Sequence, residues 1–212
     1  MKQVLLALLF VNIISASFAQ SERYTGAMAK NLQAMGEAKT ADAMLDAVNA
    51  FERIGNAEKT QWLPYYYAAV AQVRHAFMLN DPKQNDVLGD KATAFLEKAE
   101  AIEKNNSEIA LVKAMIATVK MIVDPMNRFM QYGTISTENI ALAKKLDPNN
   151  PRPYMWEAQG LSQTPEQFGG GCANAKPLFE EAVKRFATFK PATPLHPNWG
   201  KQENEQALAA CK

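Results

Sequence analysis

The sequence has few of the residues that bind metals or carry out nucleophilic chemistry. It contains two histidines and two cysteines, and neither histidine has ligand spacing to a cysteine, which argues against a zinc site. Ser-His-Asp, His-Glu-x-x-His and dinucleotide-binding patterns are missing. His75, in a helical stretch, and His196, between prolines, are interpreted as structural residues. The sequence therefore predicts no enzyme activity, no catalytic residues, no cofactor and no metal.

The chain also lacks an excess of charge of either sign. It has 23 basic and 22 acidic side chains, and its first 19 residues hold one lysine and no acid. A nucleic-acid binder needs a basic surplus to displace phosphate counterions. The balance argues against nucleic acid as a partner, and equally against an anionic membrane surface.

A long apolar run occurs once, from Val4 to Ile14, and it is short for a membrane span of about 20 residues. Ser17 and Ala19 fit the small-x-small rule for signal peptidase, and no basic cluster follows. We expect residues 1–19 to be a signal peptide cleaved after Ala19, rather than a membrane anchor. Residues 20–212 would then form one domain, periplasmic or secreted, that does not span the membrane.

Two cysteines, Cys172 and Cys211, lie in this mature part. In an oxidising compartment an even pair is most simply a disulfide. The bond would close a loop of about 40 residues and stabilise the fold by at most about 4 kcal/mol. Two free thiols or a metal site are the alternatives.

Strand-like alternation of Val, Ile and Thr is absent, alanine is abundant, and proline and glycine occur in clusters between apolar periodic stretches. Helices are predicted over about residues 21–36, 40–54, 62–78, 86–104, 107–122, 136–146, 152–161, 172–189 and 198–210. The segment 126–132 is predicted to be a linker, and Lys190 to Pro197, with three prolines, to be non-helical.

Internal similarity appears at an offset of 44 residues, where the stretch Leu96–Asn106 aligns with Ile140–Asn150. Phe51–Ile54 and Phe179–Ala182 look like further copies of the same helix face. Repetition of this kind indicates a solenoid, in which each helix pair buries its apolar face against its neighbours.

The stretch from Ile140 to Tyr154 resembles the tetratricopeptide repeat, with an alanine-rich second helix followed by Leu-Asp-Pro-Asn-Asn. Ala143 fits the small residue that lets paired helices approach, and Pro148 fits the proline that ends the second helix. The resemblance implies an all-α fold: an α–α solenoid of about four tetratricopeptide-like helix pairs plus a short C-terminal helix.

A second resemblance concerns the turn Pro165–Gly170, followed by a helix with Ala175, Phe179 and Ala182. It is similar to the P-x-x-x-G-G turn of exported proteins such as the T component of TRAP solute transporters. That resemblance implies a periplasmic role in binding a ligand or partner.

Aromatic side chains are the main candidates for binding. Consecutive helical residues are rotated by about 100°, so the aromatic set that begins the third helix covers more than one face. It can line a groove that grips a peptide or pack between repeats. The candidate residues are Trp62, Tyr65, Tyr66 and Tyr67, with Tyr154 and Trp156 as further members.

Two other features allow alternatives. Gly169, Gly170 and Gly171 precede a helix and could hold an anion, but the loop lacks the Lys-Ser/Thr of a P-loop, and a tight turn is favoured.

The methionines predict an adaptable core or a contact surface, and a core is favoured. They include Met115, Met121, Met126 and Met130.

These observations predict a periplasmic or secreted, non-catalytic binding or scaffold module for a protein, peptide or small ligand. One alternative is an envelope structural protein that self-associates as a homo-oligomer. Another is a small-ligand-binding accessory protein of a transporter.

Overall fold

The computed structural model describes residues 22–211, and this part of the chain is helical, with no strand among those residues. The predicted signal peptide and its cleavage point lie outside the described residues. The prediction of an all-α fold is confirmed.

The helices are α1 (residues 22–37), α2 (Ala41–Ala57), α3 (Trp62–Leu79), α4 (Asn85–Ile102), α5 (Ser107–Met121), α6 (Pro125–Arg128), α7 (Thr134–Leu146), α8 (Arg152–Gln163), α9 (Cys172–Thr188) and α10 (Lys201–Ala210). A π-helical turn, Phe129–Gly133, joins α6 to α7, and 3₁₀ turns cover Pro82–Gln84 and Glu166–Phe168. None of these described helices is both long and apolar enough to cross a membrane.

The helices pack mainly against their neighbours along the chain: α2 against α3, α3 against α4, α5 against α7, and α8 against α9. Alanines lie where helices approach closely, since Ala68, Ala99 and Ala143 are fully buried. A small side chain permits this approach because it leaves no bulk between the helices. One large core spans most of the stack, and a smaller one surrounds Phe179 beside α9.

Side-chain caps define two helix starts. The Thr40 hydroxyl accepts from the amide of Ala43 at 3.2 Å and begins α2, as the sequence predicts. Asn106, rather than Ser107, caps α5, because its Oδ1 accepts from the amide of Glu108 at 2.8 Å. The Ser107 hydroxyl instead donates to the carbonyl of Ala143 at 2.8 Å and ties α5 to α7.

The segment predicted as a linker is helical. The Asp124 carboxylate accepts from the amide of Asn127 at 3.4 Å, and Pro125 occupies the first turn of α6, where no amide hydrogen is needed. Of the methionines expected in the core, Met115 is buried, but Met126 and Met130 are exposed. The expectation of a core position was wrong for these two, which are 91 and 79% exposed.

Candidate binding site

A buried ion pair lies where the first turns of α5 and α8 meet. Arg152 donates from Nη2 and Nε to Glu108 Oε1, at 2.5 and 2.8 Å. The side-chain amide of Asn150 donates to the same oxygen at 2.7 Å. Arg152 is fully buried. Burial is the largest single influence and lowers the pKa of Arg152, but the charge and hydrogen bonds of Glu108, together with Tyr66 and Tyr67, leave that pKa raised.

Aromatic rings enclose this pair. The Tyr66 hydroxyl donates to Glu108 Oε2 at 2.8 Å and accepts from the Trp199 indole nitrogen at 3.1 Å. The Arg152 guanidinium lies 4.5 Å from the ring centroid of Phe189. Burial, and then the Glu108 carboxylate, raises the pKa of Tyr66 well above its usual value. Tyr66 is therefore held in its protonated, donating form.

The chain's own C-terminal segment, residues 190–200, covers these rings; we call it the strap. It connects α9 to α10 without helical structure, as the prolines predict. The Tyr67 hydroxyl donates to the carbonyl of Leu195 at 2.8 Å, and Arg152 Nη1 donates to the carbonyl of Trp199 at 3.4 Å. His196 meets Trp62 edge to face, with ring centroids 5.8 Å apart. The strap thus lies along the faces of α3 and α8 that meet over α5.

The structure separates the predicted aromatic set into different environments. Tyr65, Tyr66 and Tyr67 are buried, whereas Trp62 is half-buried. Tyr65 lies away from the strap, near Gly55, and its hydroxyl is 3.4 Å from Asn56 Oδ1. Tyr66 and Tyr67 face the strap. A ligand-binding role for these residues stays a prediction.

The two remaining aromatic candidates are half-buried on α8. Tyr154 lies between two cations, with Lys144 at 4.4 Å and Arg185 at 4.1 Å from its ring centroid. The ring of Trp156 is 6.0 Å from that of Phe77, at the C-terminal end of α3. Tyr154 and Trp156 therefore do not share one surface with the α3 tyrosines.

A disulfide joins Cys172, the first residue of α9, to Cys211, the pair that the sequence predicts. The glycines before it form a tight turn: Gly169 and Gly171 have φ of 81° and 87°. The amide of Gly170 donates to the Pro165 carbonyl at 3.2 Å, and that of Gly171 to Leu161 at 3.0 Å. Both amides donate to carbonyls of the chain itself, so they do not point toward an external anion.

The most exposed apolar side chains of α6 and the π-helical turn lie together. Met126, Phe129 and Met130 are 91, 57 and 79% exposed. Residues three and four apart share one side of a helical segment, so these three side chains form one face. Large apolar side chains that remain in water within one short segment indicate a contact surface.

One ion pair attaches this segment to α4, and a second attaches the C-terminal end of α5 to the same helix. Arg128 holds Asp86 through two nitrogens at 2.6 and 2.9 Å, and Lys120 holds Asp90 at 2.5 Å. Arg128 also donates to the carbonyl of Lys120 at 3.1 Å. Because Asp86 and Asp90 are one helical turn apart, the contacts form a ladder of two pairs. This ion-pair ladder fixes the exposed face relative to the helix stack.

A further exposed apolar residue lies beside the ion-pair ladder. Val87, beside Asp86, is largely exposed. We call the exposed face together with Val87 the apolar end; it consists of Val87, Met126, Phe129 and Met130. The strap contacts Trp62, Tyr67 and Arg74 along α3 and Arg152 at the start of α8.

Sequence reasoning missed both the ion pair and the apolar end. A usable signal existed for the pair, because Glu108 and Arg152 are separated by 44 residues, which is the offset of the internal repeat. The hydrogen bonds to their main-chain amides are also repeated: the amide of Glu108 donates to the side chain of Asn106, and the amide of Arg152 donates to that of Asn150. Opposite charges at equivalent positions of adjacent repeats become neighbours when the repeats stack.

Known proteins provide one informative comparison. No family model matches the chain, and no curated protein does. Among solved structures, an all-helical protein of the haemophore class superposes on it: the HusA haemophore from Porphyromonas gingivalis, with 33% sequence identity and a TM-score of 0.80. The match covers 89% of this chain and 92% of that one. The chain belongs to the family of the HusA haemophore.

Proposed function

We propose that this protein is an exported, non-catalytic binding protein that carries haem or a similar tetrapyrrole. The proposal is supported by the family, since the related structure is named a haemophore, that is, a haem carrier. The Cys172–Cys211 disulfide suits an oxidising compartment outside the cytoplasm. The apolar run and cleavage pattern expected in residues 1–19 agree with export.

The ligand surface that we propose is the apolar end. A tetrapyrrole is a flat and mostly apolar disc, so its binding energy comes largely from burying a face against apolar side chains. The exposure of Met126, Phe129 and Met130 on one short segment is the observation that carries the proposal. A phenyl ring can stack on the macrocycle, and the flexible thioethers can adapt to its outline.

The fold supports this role through rigidity. The ion-pair ladder holds the segment in one orientation, which reduces the entropy lost when a ligand binds. Contact with the apolar macrocycle is the part of haem recognition that we assign to this chain.

Titration of the mature chain with haemin, followed by haem absorbance and tryptophan fluorescence, tests the proposal. Phe129→Ser should weaken binding about tenfold or more, since it removes a large apolar contact. Phe168→Ser is the matched control, because Phe168 is 74% exposed in the loop between α8 and α9. Equal losses in both variants, or no binding by the unaltered chain, would contradict the proposal.

The sequence resemblances add finer possibilities to this function. A tetratricopeptide-like stack suits a protein or peptide partner on its concave face, and kinship with the T component of TRAP transporters would add a transporter as partner. Self-association in the envelope is a further possibility. Sedimentation of the mature chain over a wide concentration range distinguishes a monomeric carrier from a homo-oligomeric scaffold.

A further inference from the structure

The face under the strap shows how this fold holds a peptide segment that forms a turn, since the amide of His196 donates to the carbonyl of Thr193 at 3.0 Å. Two side chains of the face donate hydrogen bonds to main-chain carbonyls of the strap: Tyr67 to Leu195 and Arg152 to Trp199. A third, Tyr66, accepts from the indole nitrogen of Trp199. Hydrogen bonds to main-chain carbonyls can form with peptides of many sequences, whereas the hydrogen bond to the indole nitrogen requires a tryptophan side chain. This combination is typical of peptide recognition.

The anchoring side chains of the strap are less buried than the surface they cover. Leu195 and Trp199 are half-buried, whereas Tyr66 and Arg152 beneath them are fully buried. The Arg74 guanidinium lies 5.1 Å from the Trp199 ring centroid and reaches Glu203 at 3.4 Å, on a partly exposed surface. Within the strap, Thr193, Pro194 and Asn198 are exposed to water, whereas Pro197 and Gly200 are buried.

The helix that follows the strap has its own anchors. The side-chain amide of Asn204 on α10 donates to the carbonyl of Phe179 at 3.1 Å, and Cys211 is bonded to Cys172. Gly200, with φ of 102°, joins the strap to α10 in a conformation that suits glycine. If the middle of the strap lifted, Asn204 and the disulfide would still hold α10 in place.

The composition of the covered face also points to binding. A buried ion pair is often no more stabilising than well-packed apolar residues of similar volume. Glu108, Arg152 and the hydroxyl of Tyr66 are therefore poorly explained by stability alone. They are well suited to present a fixed set of donors and acceptors to a peptide.

We propose that this face is a second binding site, separate from the apolar end, for a turn-forming peptide segment of a partner protein that presents a tryptophan. The strap is its built-in occupant, and a partner peptide binds when the strap lifts. Trp62, Tyr66, Tyr67 and Arg152 form the site.

The test replaces residues 193–199 with glycine and serine in the mature chain, keeping α10 and the disulfide. The probe is a fluorescein-labelled peptide with the sequence of residues 190–200, followed by anisotropy. The replaced chain should bind the peptide, and the unaltered chain should bind it at least tenfold more weakly, because its strap competes. A probe peptide carrying Trp199→Ala should lose binding. A folded replaced chain that does not bind the probe would overturn the proposal.

A matched pair of tyrosine variants makes the test specific. In the replaced chain, Tyr67→Phe removes a donor to the peptide and should weaken binding about two- to tenfold. Tyr65→Phe should leave binding unchanged, because Tyr65 lies near Asn56 and away from the strap. Equal effects of the two changes would overturn the proposal.

A second measurement applies to the unaltered chain and covers the case in which the replaced chain does not fold. Amide hydrogen exchange of the strap should be much faster than that of α10, because the strap lifts while α10 remains anchored. Equally slow exchange in both segments would show that the strap is a fixed part of the core, and the site would then be rejected.

Discussion

Glu108 on α5 and Arg152 on α8 occupy equivalent positions of adjacent repeats and form a buried ion pair, with Nη2 2.5 Å from Oε1. Tyr66 on α3 joins the same carboxylate at 2.8 Å. Three helices that begin in different parts of the chain are thereby tied at one point. The pair fixes how successive helix pairs stack.

Arg152→Leu is expected to destabilise the fold by about 3–5 kcal/mol, because it leaves the Glu108 carboxylate buried without its cation. Urea unfolding followed by circular dichroism measures the change. The double variant Glu108→Leu with Arg152→Leu should recover part of this loss, since it removes the unpaired charge as well. A double variant that is less stable than the sum of the single changes would refute this account.

An exposed ion pair provides the control for this measurement. Lys113 pairs with Glu100 at 2.5 Å between α5 and α4, with both side chains about two-fifths exposed. Lys113→Met should change the free energy of unfolding by no more than about 1 kcal/mol, because water screens such pairs. The contrast isolates the effect of burial.

Removing the disulfide with Cys172→Ser and Cys211→Ser should lower the free energy of unfolding by about 2–4 kcal/mol. The bond joins residues 39 apart and restricts the unfolded chain. Thermal unfolding with and without a reductant measures the effect. The reductant should lower the midpoint of the unaltered chain and leave the double variant unchanged; an equal response in both would show that the bond does not stabilise the fold.

Gly171→Ala should destabilise the protein by about 1–3 kcal/mol, because φ of 87° is reached freely only by glycine and a Cβ would lie 2.7 Å from Glu166 Cγ. Gly160→Ala is the matched control: nothing lies within 4 Å of its Cβ position, and alanine favours a helix interior by about 0.5–1 kcal/mol. The two changes should therefore shift the unfolding midpoint in opposite directions. Shifts in the same direction would contradict the assigned turn.

Much of the fold could be predicted from the sequence, because local signals determine it. Alanine-rich apolar periodicity predicts the helices, and the prolines between Lys190 and Pro197 predict the non-helical strap. The linker prediction for 126–132 failed because a proline and an Asp124 cap start a short helix that has no apolar periodicity of its own. One-turn helices leave too few residues for a periodic pattern.

The arrangement of the candidate sites could be predicted less well. Tyr66 is covered by Trp199, which lies 133 residues further along the chain. No local sequence pattern predicts a contact between residues so far apart. Exposure of Met126 and Met130 depends likewise on whether a distant part of the chain covers them, and within residues 22–211 none does. The repeat offset is the exception, since it places Glu108 opposite Arg152 before any coordinates are known.

The last prediction concerns how the proposed haem surface is held. The hydrogen bond from Arg128 lowers the pKa of Asp86, against a small opposing effect of burial. Because the pKa of Asp86 is lowered in the folded state, the ion pair stabilises the fold at a pH above the ordinary aspartate pKa near 4. This stabilisation is lost as the pH falls through the lower pKa of the folded state. Asp86→Asn should therefore reproduce at neutral pH the loosening that acid causes.

For Asp86→Asn, amide exchange in residues 125–133 should accelerate, while the free energy of unfolding changes by no more than about 1 kcal/mol, because the pair is exposed. Haemin affinity should fall as well, since the apolar face loses its fixed orientation. Glu100→Gln, which removes an exposed pair elsewhere, should change neither property. If Asp86→Asn altered neither exchange nor affinity, the ion-pair ladder would not position the ligand surface, and the π-helical turn alone would have to hold it.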